Sequence, residues 1–198
     1  GNDPRIPHGL HGRHLVDFQD RLPVALVTCA SSPVRGAEVW ALLAASLLLY
    51  GCSSGIAAPQ DGLPVVEGCF VSASGVVPVQ LEIASTSEQR QKGLMGRTSM
   101  APDAGMLFKS HEPRSASHGF WMYKTLIPLD IAYLNEDGKI GSIRKMVPCP
   151  SASGSGCPTY PAGVPFIEAV EMNAGFFLEH GIGTGDRLAI GKDNCPAN

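Results

Sequence analysis

Five charged side chains stand inside stretches that are otherwise apolar or rich in glycine: Arg97, Lys124, Asp130, Glu171 and Asp186. A charge in such surroundings loses water and needs a partner or a task. One reading pairs them, Arg97 with Asp130 being the natural match, to fix the packing of strands. The other makes them the polar floor of a pocket walled by Trp121 and Tyr160. In that case Asp130 or Glu171, titrating near neutrality, is the candidate general base of a hydrolytic reaction. The candidate ligand-binding set is therefore Arg97, Trp121, Lys124, Asp130, Tyr160 and Glu171, and no catalytic residue is assigned. The set centres on residues 105–130, the densest cluster of large apolar side chains in the chain.

Other chemistries fit less well. Gly181-Ile182-Gly183-Thr184-Gly185-Asp186 has the look of a dinucleotide-binding turn, but it follows a helical stretch and precedes a strand, the reverse of the required order. His111 and His118, with Met95, Met100, Met106 and Met122, offer soft ligands for copper. Methionines at such spacing serve more often as core filler, so no metal or other cofactor is expected. The chain carries 15 Lys and Arg against 18 Asp and Glu; four of each precede residue 52, leaving 11 against 14 beyond it. There is no basic stripe and the aromatic residues are not interleaved with Arg or Lys, which excludes a nucleic-acid partner.

The first residue is Gly1, and residues 1–34 lack a sustained apolar period; they read as an upstream, non-native segment. From Arg35 a single basic residue leads into the apolar run 39–50, too short to span ~30 Å of hydrocarbon but suited to a secretory signal. Its ending, Leu49-Tyr50-Gly51-Cys52, resembles the bacterial lipobox. Residues 35–52 are thus expected to be a lipoprotein signal peptide, with Cys52 lipidated. That anchor would hold the protein on the periplasmic side of a bacterial membrane, Ser53 favouring the outer one. Residues 53–64, rich in Ser, Gly, Ala and Pro, read as a flexible tether.

With Cys29 upstream and Cys52 as anchor, Cys69, Cys149, Cys157 and Cys195 remain. An even number in an exported domain favours disulfides. Cys149 with Cys157 is the local pair, worth ~2.5 kcal/mol by chain entropy; Cys69 with Cys195 would then tie the first strand to the tail. Three pairings are open in principle.

Alternating apolar residues predict strands over 65–71 and 76–84, and capping-box spacing at Thr86 and Gln89 predicts a short surface helix closed by Gly93. Residues 105–109 and 119–123 read as central strands, and 129–134 with 139–147 as a hairpin turned at Asp137-Gly138. Further strands are expected over 166–172 and 186–190, with a short helix capped by Asn173 between them. Residues 65–191 should form a single globular domain of the α+β class, β-dominated, a small partly closed β-barrel with two short helices, followed by the tail 192–198.

Gly93-Leu94-Met95-Gly96-Arg97, Gly105-Met106-Leu107-Phe108, Phe120-Trp121-Met122, Thr125-Leu126-Ile127-Pro128-Leu129-Asp130-Ile131, Tyr160-Pro161, Glu171 followed by Ala174-Gly175, and Gly181-Ile182 followed by Gly185-Asp186 together resemble the family called domain of unknown function 192. The resemblance covers about residues 77–190. It implies a compact β-rich domain, often exported, with no established activity. Where the family usually reads Phe-Trp-Met-Lys-Asn-Thr, this chain has Tyr123, Lys124 and Thr125. Tyr123 could not do the chemistry of a lysine, and Lys124 would point to the opposite strand face. The expectation is a lipid-anchored periplasmic domain that binds a small ligand or an envelope protein around Trp121, Arg97 and Asp130. The alternatives are a hydrolase-like enzyme or a purely structural module.

Overall fold

The structure, a computed structural model, describes residues 57–149, 151 and 153–197. The upstream segment, the expected signal peptide with Cys52, and residues 53–56 of the tether lie outside the described residues.

The chain runs β1 (Val65–Ser72), β2 (Gly75–Ala84), α1 (Ser87–Lys92), β3 (Ala104–Arg114), β4 (Gly119–Trp121), β5 (Leu129–Leu134), β6 (Ile140–Met146), β7 (Thr159–Pro161), β8 (Phe166–Asn173), α2 (Phe176–Glu179) and β9 (Arg187–Ile190), then a 3-10 turn, Lys192–Asn194. Seven strands share one sheet in the order β6-β5-β8-β3-β2-β1-β9, and β4 pairs with β7 in a ribbon. Every neighbouring pair is antiparallel except β2 and β3, whose parallel pairing requires the crossover that contains α1.

Strand twist curls the sheet until its outer strands touch: Ile140 N donates to Asp186 O at 2.8 Å and Leu188 N to Gly138 O at 2.9 Å. The contact is one bridge, Lys139 to Arg187, and not a ladder. The sheet is an open, curled half-barrel, which corrects the expected partly closed barrel; the β-dominated class and the two short helices agree with the sequence.

Both faces of the sheet are covered. Phe70, Leu81, Leu107, Leu134, Val170 and the α2 phenylalanines Phe176 and Phe177 form one core cluster. Met106, Phe108, Met122, Ile131, Tyr133 and Phe166 form the other. The period-2 alternation of β5 explains its placement: Leu129, Ile131 and Tyr133 enter the second cluster while Ala132 and Leu134 enter the first, so the whole strand is buried.

Local signals acted as their chemistry requires. Thr86 and Gln89 form a reciprocal capping box at α1, and Gly138 takes φ 73° in the hairpin turn. Among the described residues the disulfides are Cys69–Cys195 and Cys149–Cys157. Asn173 does not cap α2, contrary to expectation. Pairing with Leu129 holds it in β8, its amide donates to Ala101 O at 2.9 Å, and α2 starts after Gly175 at φ 94°. Residues 57–64, assigned to the tether, lie against the domain. Gln60 Nε2 donates to Gln89 O at 3.1 Å and Gly93 O at 2.7 Å, Leu63 packs on the second cluster, and a Cβ on Gly96 would collide with Ala57 O.

Candidate functional site

Register decides which charged residues can meet. Ile131 pairs with Glu171 across β5 and β8, and Asp130 pairs with Met172. Glu171 therefore shares a face with Ile131 and Met106, and Asp130 faces the opposite side. The expected pocket around Arg97, Asp130 and Trp121 does not assemble.

Asp130 is 2% exposed. Its Oδ2 accepts from Gly175 N at 2.8 Å, and Oδ1 is buried with no partner among the described residues. Burial pushes its carboxyl up, against the pull of the Gly175 amide and Lys145. Arg97 pairs not with Asp130 but with Glu82, and also donates to Gln60 O at 3.2 Å. Lys124 lies beside the Tyr123 ring, its ammonium 5.1 Å from the centroid, at φ 56°. Tyr160 packs on the second core cluster, its hydroxyl accepting from Val147 N at 3.1 Å. Asp186 Oδ2 accepts from Gly183 N at 2.7 Å, so the glycine-rich segment is a turn.

Glu171 and Trp121 come together. Glu171 is 4% exposed, and no hydrogen bond or ion pair reaches its carboxyl among the described residues. Burial alone pushes it up to about 8, so the neutral acid dominates at pH 7. It lines a narrow cavity of about 20 Å³ with Leu94, Phe108, Phe120, Trp121 and Thr125, closed on one side by Arg90–Lys92 of α1.

Arg90, Phe108, Phe120 and Trp121 also line a larger cleft of about 360 Å³, completed by Phe166, Arg114 and His118. Arg90 is braced by Ser85 O and by Lys109 O at 3.0 Å. Arg114 donates through Nε to Ser110 Oγ at 3.2 Å. The His118 ring lies 5.9 Å from Phe166 and 6.5 Å from Phe120, and burial together with Arg114 pushes its pKa down. No carboxylate lines this cleft among the described residues. Two arginines over an aromatic floor make a site for an anion with an apolar body.

Of the expected site residues only Trp121 and Glu171 belong here. Arg90 and Arg114 were missed, and His118 was weighed only as a copper ligand. Met106 and Met122, of the same proposed copper set, are buried in the second cluster. Among the described residues no group of three metal-ligating side chains occurs, and no helix is long and apolar enough to cross a membrane.

The family called DUF192, described as "Uncharacterized ACR, COG1430", matches residues 70–190. The chain belongs to the DUF192 family. A similar fold also occurs in solved structures: a protein of Sinorhizobium meliloti described as a candidate transcription regulator is 32% identical, with a TM-score of 0.60 over 66% of this chain and 97% of that one. A protein of unknown function from Novosphingobium aromaticivorans is 32% identical as well, with a TM-score of 0.58 over 69% of this chain and 95% of that one. No curated protein matches. Phe120 and Trp121 both line the cleft, and Phe120 also packs with Met122 on the second core cluster.

Proposed function

We propose that this DUF192 domain binds a small amphipathic anion, and that a lipid anchor at Cys52 holds it on the periplasmic side of a bacterial membrane. The cleft carries the binding part of the reading. Phe108, Phe120, Phe166 and Trp121 offer an apolar floor, Arg114 and Arg90 supply charge-assisted donors, and no carboxylate opposes them. A carboxylate or phosphate joined to an aromatic ring matches that pattern. The anchor reading rests on the lipobox-like Leu49-Tyr50-Gly51-Cys52 and on two disulfides, which suit an oxidising compartment. The regulator description of the Sinorhizobium protein would suit a ligand-sensing domain; with 11 basic against 14 acidic residues beyond residue 51, duplex binding lacks its electrostatic footprint.

Isothermal titration of benzoate and of phenyl phosphate tests the binding reading. Saturable binding that weakens ~10-fold or more in Arg114→Ala is expected. No binding, or equal binding by the variant, would remove it. Mass spectrometry of the membrane fraction tests the anchor, an acylated Cys52 being the expected result and an unmodified thiol the contrary one.

A further inference from the structure

Glu171 is the group in this face of the sheet that neither packing nor ion pairing accounts for. It is more than nine-tenths buried, makes no hydrogen bond to its carboxyl among the described residues, and lines the narrow cavity that shares Arg90, Phe108, Phe120 and Trp121 with the cleft. A polar group so placed is costly unless something pairs with it. The narrow cavity, about 20 Å³, has room for a water or a single small group and not for a second charged head.

We infer that Glu171 carries its proton and donates a hydrogen bond to an uncharged carbonyl oxygen of the ligand, which is therefore an aromatic or acyl anion bearing a carbonyl at the end remote from its charge. This rests on the anion-binding reading of the cleft. The two polar ends of the site then differ in kind: Arg114, which lines the cleft and not the narrow cavity, takes the charged head, and Glu171, which lines the narrow cavity and not the cleft, takes the neutral oxygen as a neutral acid. Ionised, Glu171 would lose its donor and repel that oxygen.

The charged and titratable neighbours are few. From β2, Glu82 is occupied by Arg97. From β5, Tyr133 bonds Tyr160 O and its hydroxyl is pushed up by burial. From β6, Arg144 bonds the carbonyls of Pro161 and Ala162. Arg90 and Lys92 approach from α1, Lys124 lies at Tyr123, and His118, pushed down, stands in the wider cleft. The arginines stay charged throughout.

The test compares 4-acetylbenzoate with 4-isopropylbenzoate, which lacks the carbonyl, by isothermal titration at pH 7 and pH 9, in wild type and Glu171→Gln. Wild type should favour the acetyl compound by ~10-fold at pH 7 and lose most of that preference at pH 9. Glu171→Gln, a permanent neutral donor, should keep the preference at both pH values. Equal binding of the two probes by wild type, or the same pH loss in the variant, overturns the inference while the cleft stands. If neither probe binds, the cleft reading falls and the inference with it. Infrared difference spectra of wild type need no ligand: a protonated-carboxyl band at pH 7 that persists in Asp130→Asn is expected, and its absence overturns the inference.

Discussion

Asp130 and Glu171 stand on neighbouring strands one step out of register, so their carboxyls face opposite sides of the same sheet. That offset separates two tasks. Asp130, on the α2 side, holds the turn at Gly175. Glu171, on the other side, lines a small cavity that shares Arg90, Phe108, Phe120 and Trp121 with the aromatic cleft. Both carboxyls are buried and both are pushed toward the neutral form, and Glu171 lines a cavity.

If Asp130 acts through Gly175 N–H, its charge is dispensable and its acceptor is not. Asp130→Asn should leave stability at pH 7 unchanged or slightly higher. Asp130→Ala, which removes the acceptor of the part-buried Gly175 N–H, should cost about 1–2 kcal/mol in urea denaturation. Equal losses in both variants would contradict this.

Glu171 gives stability a definite pH slope. Its folded value, about 8, lies above the 4.5 of an unperturbed glutamic acid, so the native state keeps a proton that the unfolded chain releases. The favourable contribution is complete below about pH 4.5 and is lost as pH rises to about 8, by at most ~1.4 kcal/mol per pH unit. Glu171→Gln should flatten the dependence of melting temperature across that window and raise it at pH 8. A wild-type slope in the variant would place the titrating group elsewhere.

Arg97 should couple to Glu82 and not to Asp130. The pair is partly exposed, 17% and 24%, so a coupling of about 1 kcal/mol is expected in a double-mutant cycle of Arg97→Ala with Glu82→Gln. The cycle of Arg97→Ala with Asp130→Asn should close near zero.

The disulfides should differ in weight because they close loops of different length, with separations of 126 and 8 residues. By chain entropy, loss of Cys69–Cys195 should cost up to ~5 kcal/mol and loss of Cys149–Cys157 ~2.5 kcal/mol. Denaturation of Cys69→Ser with Cys195→Ser, beside the same change at Cys149 and Cys157, checks the order.

What was legible in the sequence is what depends on near neighbours. Strand alternation separated Leu129, Ile131 and Tyr133 from Asp130, Ala132 and Leu134; side-chain spacing found the Thr86–Gln89 box; Asp137-Gly138 found the hairpin. Asp130 was recognisable as a carboxylate on an apolar face, but its partner is a backbone amide, which has no residue type to read. Arg97 could not be assigned to Glu82, because Glu82 sits on a strand that looks half exposed, and the cover over that strand comes from residues 57–64, which have no period. Strand order was equally hidden. Only with β8 between β5 and β3 does Glu171 face Ile131 and Met106. Arg90 was read as part of a polar surface helix; that α1 forms one wall of a cleft follows from the crossover between β2 and β3, which no local pattern encodes.

Chemical-shift mapping of the labelled protein during titration with benzoate tests the cleft most directly. Saturable shifts at Trp121 Nε1, Phe120, His118 and the Arg114 side chain, with Gly175 N–H unmoved, are expected. Shifts centred on Gly175 and Asp130, or none at all, would contradict the assignment of the site.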